Sequence, residues 1–318
     1  MHRHSLVVLA SLLAGSLVAR PLAAQVADSA RAPESPPAAY VPHRVYAVQA
    51  QRFTDFEAMV RALGQADVVL VGEQHDDPGT HRMEAAILDG LARRGRRVTV
   101  SLEMFERDVQ GVVDGYLAGR LSETELLAQA RPWPNYATDY RPLVEAARAH
   151  GWPVIAANVP RRVASRVARE GVGAVATLAP EERRWVAAEL SCPTAADAYH
   201  AKFVAQMSGM PAHGSAPLSD SAQAAMVQRF YEAQCVKDET MGEAVAAAAR
   251  ALDGAGTVVH YNGAFHSDQG LGTAQRASAR LPGRRVVVVS AMPVADLDTI
   301  DVAAVADRGD YLLFTLAP

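Results

Sequence analysis

DVVLVGEQHDDPGTH, residues 67–81, is the stretch on which the reading of the whole chain turns. Val68 to Val71 and then Gly72 form an unbroken apolar run, the pattern of a parallel strand buried on both faces. Directly after it come Glu73, His75, Asp76, Asp77 and His81. Pro78 follows Asp77 as a first helical residue follows an N-cap, so a helix is expected to start there. The segment between strand and helix is therefore a loop that presents acids and imidazoles.

Working outward, Met83, Ile87, Leu88 and Leu91 share one helical face that Gly95 closes, and RVTVSLEMF (Arg97–Phe105) reads as a second strand with Glu103 near its end. Before the opening stretch, Val45–Val48 is expected as a short edge strand and Asp55–Leu63 as a helix. After it, Arg107–Gln129 reads as helical, Trp133, Pro134 and Tyr140 as a break, Leu143–Ala149 as a helix and PVIAANV (Pro153–Val159) as a third buried strand. From about residue 180 to 252 the pattern is helical, with a helix expected over Glu181–Leu190 and a broken section from Met207 to Leu218. Strands return at TVVHYNGAFH (Thr257–His266), Arg285–Ser290 and Tyr311–Leu316. The expected class is α/β, a mostly parallel sheet core with flanking helices and a mainly helical insert.

The chain has 318 residues, half of them apolar, and a mean hydropathy near zero, enough to bury a full core. Residues 1–24 are expected to be a secretory signal: a basic start at Arg3, an apolar run from Leu6 to Ala19 and small residues before Gln25. The run is shorter than the ~20 residues a membrane span needs. Its removal takes two arginines and no acid, leaving 29 basic against 35 acidic residues and moving the formal charge from −4 to −6. Nothing in this balance suggests the basic face a nucleic-acid binder needs. Residues 25–43, rich in Ala, Pro and Ser, are expected to be a flexible linker, and 44–318 the α/β domain. An exported, periplasmic protein is expected, with no transmembrane span once the signal is gone. Cys192 and Cys235 form either one disulfide or two separate buried thiols. No G-x-S-x-G, P-loop or G-x-G-x-x-G phrase is present in the right context, which argues against serine hydrolase and nucleotide-binding classes.

In a parallel sheet, ligands collect beyond the carboxyl ends of strands. Four such ends here carry polar groups: Glu73 with His75, Glu103, Asn158 with Arg161, and His266. Gly72-Glu73-Gln74-His75 and Gly263-Ala264-Phe265-His266 share the form G-x-x-H, in which glycine lets the backbone turn sharply. Carboxylate and imidazole from separate strands suit either an acid/base pair or a divalent metal. Glu73, His75, Glu103 and His266 are thus the candidate catalytic residues, and His75, Glu103 and His266 the candidate metal ligands. His81 reads as a cap-region residue or as a support behind the loop, Trp133 and Tyr140 as pocket lining or core cover, and Asp238 and Met241 as packing and capping positions.

GEQHDDPGTH, SLEMFERDVQ, WPVIAANVPR, AQCVKDETM and HYNGAFH, in this order, resemble the ChaN family of haem-binding uptake proteins, within the TIKI superfamily that also holds erythromycin esterase-like enzymes and TIKI proteases. The resemblance implies an α/β core with a helical insert, haem as ligand in iron uptake, and a homodimer enclosing it. Haem needs an axial ligand beside an apolar surface; for this role the insert offers Tyr199, His200, Met207, Met210, His213 and Tyr231. The alternative is a metal-dependent hydrolase or protease of the superfamily, using the two G-x-x-H histidines and a glutamate. The acylated cysteine of a lipoprotein is absent.

Overall fold

Val68–Glu73 is a strand in which all six residues are buried, and it lies inside an eight-stranded sheet. The computed structural model describes residues 40–192, 197–208 and 219–317. The expected signal segment, most of the linker, Met210 and His213 lie outside the described residues. In chain order the elements are β1 (His43–Ala47), β2 (Arg52–Thr54), α1 (Phe56–Leu63), β3 (Val68–Glu73), α2 (Pro78–Arg93), β4 (Val98–Glu106), α3 (Gln110–Leu117), α4 (Glu123–Ala130), α5 (Arg141–His150), β5 (Val154–Asn158), α6 (Arg161–Glu170), α7 (Pro180–Arg183), α8 (Ala198–Ser208), α9 (Asp220–Leu252), β6 (Thr257–Gly263), α10 (Gly272–Arg280), β7 (Val286–Val294) and β8 (Tyr311–Leu316).

The strand order is β2-β1-β8-β7-β3-β6-β4-β5. Neighbours from β8 to β5 pair in parallel, and β1 runs antiparallel to β2 and β8. The expected α/β class with a mostly parallel sheet is therefore what the chain forms. Alternate side chains of β3 serve the two faces, as strand geometry dictates. Val69 and Val71 pack with Ile87, Leu88 and Leu91 of α2. Val68 and Leu70 pack with Val245, Ala246 and Ala249 of α9. Each such fully buried aliphatic side chain contributes about 1.5–3 kcal/mol.

The topology places the site. The β3-α2-β4 crossover leaves a gap of one strand, and β6 fills it, pairing in parallel with both. In that register Gly72 lies beside Asn262 and Glu73 beside Gly263. The second G-x-x-H phrase thus emerges between the strands that carry Glu73 and Glu103.

Three local expectations need correction. β1 is not an edge strand; β2, only three residues long, covers it and takes the edge. The Arg107–Gln129 helix is two helices, parted at Gly119, whose φ is +69°, and restarted by a capping box between Ser122 and Glu125. The helix over Glu181–Leu190 stops after Arg183. Its guanidinium donates to the carbonyls of Val186, Ala187 and Ala188, while the N–H groups of Ala187 and Ala188 donate to Thr240 and Glu243 of α9. Backbone groups that a helix would pair internally are paired by side chains instead.

The helical stretch does more than decorate the sheet. The first third of α9 is largely exposed, but from Tyr231 onward most of it is buried. Cys235 on this helix is joined to Cys192 by a disulfide, which resolves the two readings left open by the sequence. Among the described residues no helix is long and apolar enough to cross a membrane.

Candidate functional site

Glu73, His75, Glu103 and His266 meet at the carboxyl ends of β3, β4 and β6, around a cleft of about 620 Å³. Glu73 ends β3 and is 1 % exposed; His75, two residues on, is 49 % exposed at the cleft. His75 Nδ1 lies 2.6 Å from Glu73 Oε1. The same oxygen accepts from the Tyr140 hydroxyl, and Trp133 meets the imidazole edge-on at 4.8 Å. Burial works against the charged imidazolium, but Glu73 and Glu103 overturn this and raise the His75 pKa.

Gly263 makes the approach of the two motifs feasible. A Cβ at this position would lie 2.7 Å from His75 Nε2, so any other residue would displace the ring. Its φ is −55°, so glycine is needed for space and not for backbone conformation. The Gly263 N–H donates to Glu103 Oε2 at 2.8 Å, which fixes the carboxylate of β4 against β6.

His266 sits between two acids. Its Nδ1 is 2.6 Å from Asp238 Oδ1 and its Nε2 3.3 Å from Glu103 Oε1. The Gln234 carboxamide, one turn before Asp238 on α9, lies 3.0 Å from the same Nε2. Burial opposes a charged imidazole, yet the two carboxylates outweigh it and push the His266 pKa up to about 10. At neutral pH His266 is an imidazolium. Glu103, buried and facing that charge, is held well below the usual carboxylate range. Asp238 is completely buried and also accepts from Tyr199 and Thr273.

Behind His75 lies a second cluster. His81 and Glu84, one turn apart on α2, face Glu73: His81 Nδ1 is 2.9 Å from Glu84 Oε2 and 3.5 Å from Glu73 Oε2. Burial and the neighbouring Glu73 charge drive the Glu84 pKa well up, while the hydrogen bond to His75 and the other neighbours of Glu73 together outweigh burial and lower that of Glu73. Among the described residues, Glu73, His81 and Glu84 are the three metal-binding types whose donor atoms all lie within 4.8 Å of one another.

Cations ring the cleft. Lys202, Lys237 and Arg308 line it. A neighbouring cleft of about 850 Å³ shares Glu103 and Lys237 with it and is bounded by Trp133, Asn158, Arg161 and Arg162. Thus all four strand ends singled out in the sequence open onto one continuous edge of the sheet.

The insert candidates are placed differently. Tyr199 is fully buried with its hydroxyl on Asp238. His200 faces Gln228 at 3.1 Å. Tyr231 is also fully buried, and Met207 packs against it, Tyr199 and Phe203. From α8 it is Lys202 and Gln206 that line the cleft. Sequence reading left His81 and Tyr140 open between site and packing roles, read Asp238 as a packing or capping position and did not single out Glu84. The i, i+4 pair Gln234/Asp238 and the i, i+3 pair His81/Glu84 were the available signals, but nothing local says which face of a helix meets a histidine far away in the chain.

Residues 59–277 match a family described as haem-binding uptake, Tiki superfamily, ChaN. RETICULATA-RELATED 5, a chloroplastic protein of Arabidopsis thaliana, is 26 % identical over 239 residues, covering 70 % of this chain and 31 % of the plant protein. The chain therefore spans about a third of that relative's length. Among solved structures, ChaN of Campylobacter jejuni with cofacially bound haem shares the fold at a TM-score of 0.60, with 16 % identity over 86 % of this chain and 96 % of that one. A mutant of the erythromycin esterase EreC, in its open conformation, is more distant, with a TM-score of 0.46 and 10 % identity over 87 % of this chain and 83 % of that one.

Proposed function

The chain belongs to the ChaN haem-binding uptake family of the Tiki superfamily, and from that premise we propose that it binds haem at the strand-end cleft, with His75 facing the iron. The observation that carries this reading is the half-exposed His75 imidazole with Nδ1 anchored on buried Glu73. An N–H donated to a carboxylate leaves Nε2 with its lone pair and raises its basicity as a ligand. Gly263, lacking a Cβ, leaves room for the His75 ring at the cleft, and Phe265 and Ala264 give its mostly polar lining an apolar part. Bound haem supplies an iron centre that takes an imidazole nitrogen, and two carboxylates that seek cations. Trp133 holds the His75 ring from the side, and Lys202, Lys237 and Arg308 give the cleft the positive charge for those carboxylates.

Titration of the purified protein with haemin tests the reading. A saturable Soret shift that His75→Ala abolishes supports it; no saturable shift in the wild-type protein overturns it. A homodimer enclosing the ligand is part of the proposal, on the strength of the family resemblance, and sedimentation with and without haemin measures it. Export to the periplasm is also proposed. The Cys192–Cys235 disulfide supports an oxidising compartment, and cell fractionation checks it.

One observation favours a second reading, hydrolysis by acid/base chemistry. A charged His266 between Asp238 and Glu103, across the cleft floor from the His75–Glu73 pair, gives an acid and a base on one site. A divalent ion on His75, Glu103 and His266 would serve it less well than a proton, because both His266 nitrogens already face carboxylates. Ester and peptide turnover unchanged by His266→Ala counts against this reading.

A further inference from the structure

The strongest unassigned feature is the closed cluster behind His75. His81 is 2 % exposed and Glu84 and Glu73 no more than that. His81 Nε2 lies 3.2 Å from the His75 carbonyl oxygen, with an Asp139 carboxylate oxygen 3.6 Å away. A carbonyl only accepts, so Nε2 carries the hydrogen. His81 Nδ1 then faces Glu84 Oε2 at 2.9 Å and Glu73 Oε2 at 3.5 Å. Two carboxyl groups facing one another in a dry interior need something positive, a proton or a cation, between them.

The hydrogen bonds leave two atoms unused. Glu73 Oε2 and Glu84 Oε1 are buried and have no hydrogen-bond partner. Glu73 Oε1, by contrast, is occupied by His75 and Tyr140. The free oxygens and His81 Nδ1 belong to the three residues whose donor atoms all lie within 4.8 Å. One imidazole nitrogen and two carboxylates are a donor set for zinc or manganese.

We propose that Glu73, His81 and Glu84 hold a divalent cation of the zinc or manganese class behind the cleft. The ion takes the place of the proton that otherwise separates these groups, so its binding releases protons. It pins the Glu73 carboxylate from behind while Oε1 holds His75, making Glu73 the link between a structural ion and the exposed imidazole. Asn135, which donates to the His75 carbonyl and to Asp139, closes the outer side of the cluster. The site is separate from a strand-end metal on His75, Glu103 and His266, and it does not depend on haem binding.

The test is metal content and affinity in the full chain. Protein purified without chelator, and protein refolded with excess Zn²⁺ or Mn²⁺, is gel-filtered and its metal measured. One ion per chain is expected, with a higher melting temperature than the chelated form. Glu84→Gln and His81→Gln are each expected to weaken binding by at least about 100-fold, because loss of a residue that merely orients a ligand already costs ~10–100-fold. His266→Ala is expected to retain the ion. Cobalt substitution of the wild-type protein gives visible bands from mixed nitrogen and oxygen donors, so the result stands even if a variant fails to fold. No retained ion under any of these conditions overturns the proposal. So does an ion lost with His266→Ala and kept by Glu84→Gln, which places it at the strand ends.

Discussion

His75 Nε2 occupies the space a side chain at Gly263 would need: a Cβ there would lie 2.7 Å from it. The two G-x-x-H motifs therefore touch through the glycine of the second and the histidine of the first.

Gly263→Ala should be destabilising for this reason alone. With φ at −55°, alanine suits the backbone and would by itself stabilise by ~0.4–1 kcal/mol through the unfolded chain. Overpacking against His75 reverses the sign, for a net loss of roughly 1–3 kcal/mol. Adding His75→Ala to Gly263→Ala should recover most of it. Urea melts of the two single variants and the double variant form the cycle that checks this; additive losses would show that the contact is not the cause.

The charge on His266 makes stability depend on pH. Its folded pKa, about 10, lies above the ordinary histidine value of 6.5. Its contribution is therefore complete below about pH 6.5 and is lost as pH rises through about 10. Asp238→Asn should cost about 3–5 kcal/mol at pH 7, the loss expected when one partner of a buried pair is removed. The gap from wild type should narrow as pH climbs past 10. Denaturant midpoints at pH 7, 9 and 10.5 measure it; a gap constant across these values would place the charge elsewhere.

Tyr199→Phe separates a packing role from a ligand role. Its buried hydroxyl donates to Asp238, and a hydrogen bond to a charged group is worth about 1.5–3 kcal/mol. The expected result is a lower melting temperature with the haemin titration unchanged. A lost Soret shift would move the iron ligand into the insert.

The disulfide closes a loop with a sequence separation of 43 residues that includes α8. The chain-entropy relation for a loop of that length gives about 4 kcal/mol. A Cys192→Ser, Cys235→Ser double variant should unfold at correspondingly lower denaturant. Because Lys202 and Gln206 of α8 line the cleft, its affinity for haemin should fall as well. Equal affinity in both forms would show that α8 is held by packing alone.

Much of this protein is determined locally and so can be read from its sequence. The Val68–Val71 run demands burial on two faces, and it receives α2 on one and α9 on the other. Asp77 before Pro78 starts a helix because its side chain accepts the Thr80 N–H. The G-x-x-H phrases mark the two loops of the site through the glycines they require. What local pattern cannot express is pairing across distance. The insertion of β6 between β3 and β4 depends on which buried strands fill the gap left by a crossover, a choice made by the whole sheet. That choice alone sets Glu103 beside His266. The face of α9 that supplies Asp238, and the face of α2 that turns His81 and Glu84 toward Glu73, follow from how the helices dock. The residue types and their loops belong to the sequence. Their charges belong to the tertiary structure, because burial and opposed carboxylates, which only folding creates, make His266 an imidazolium.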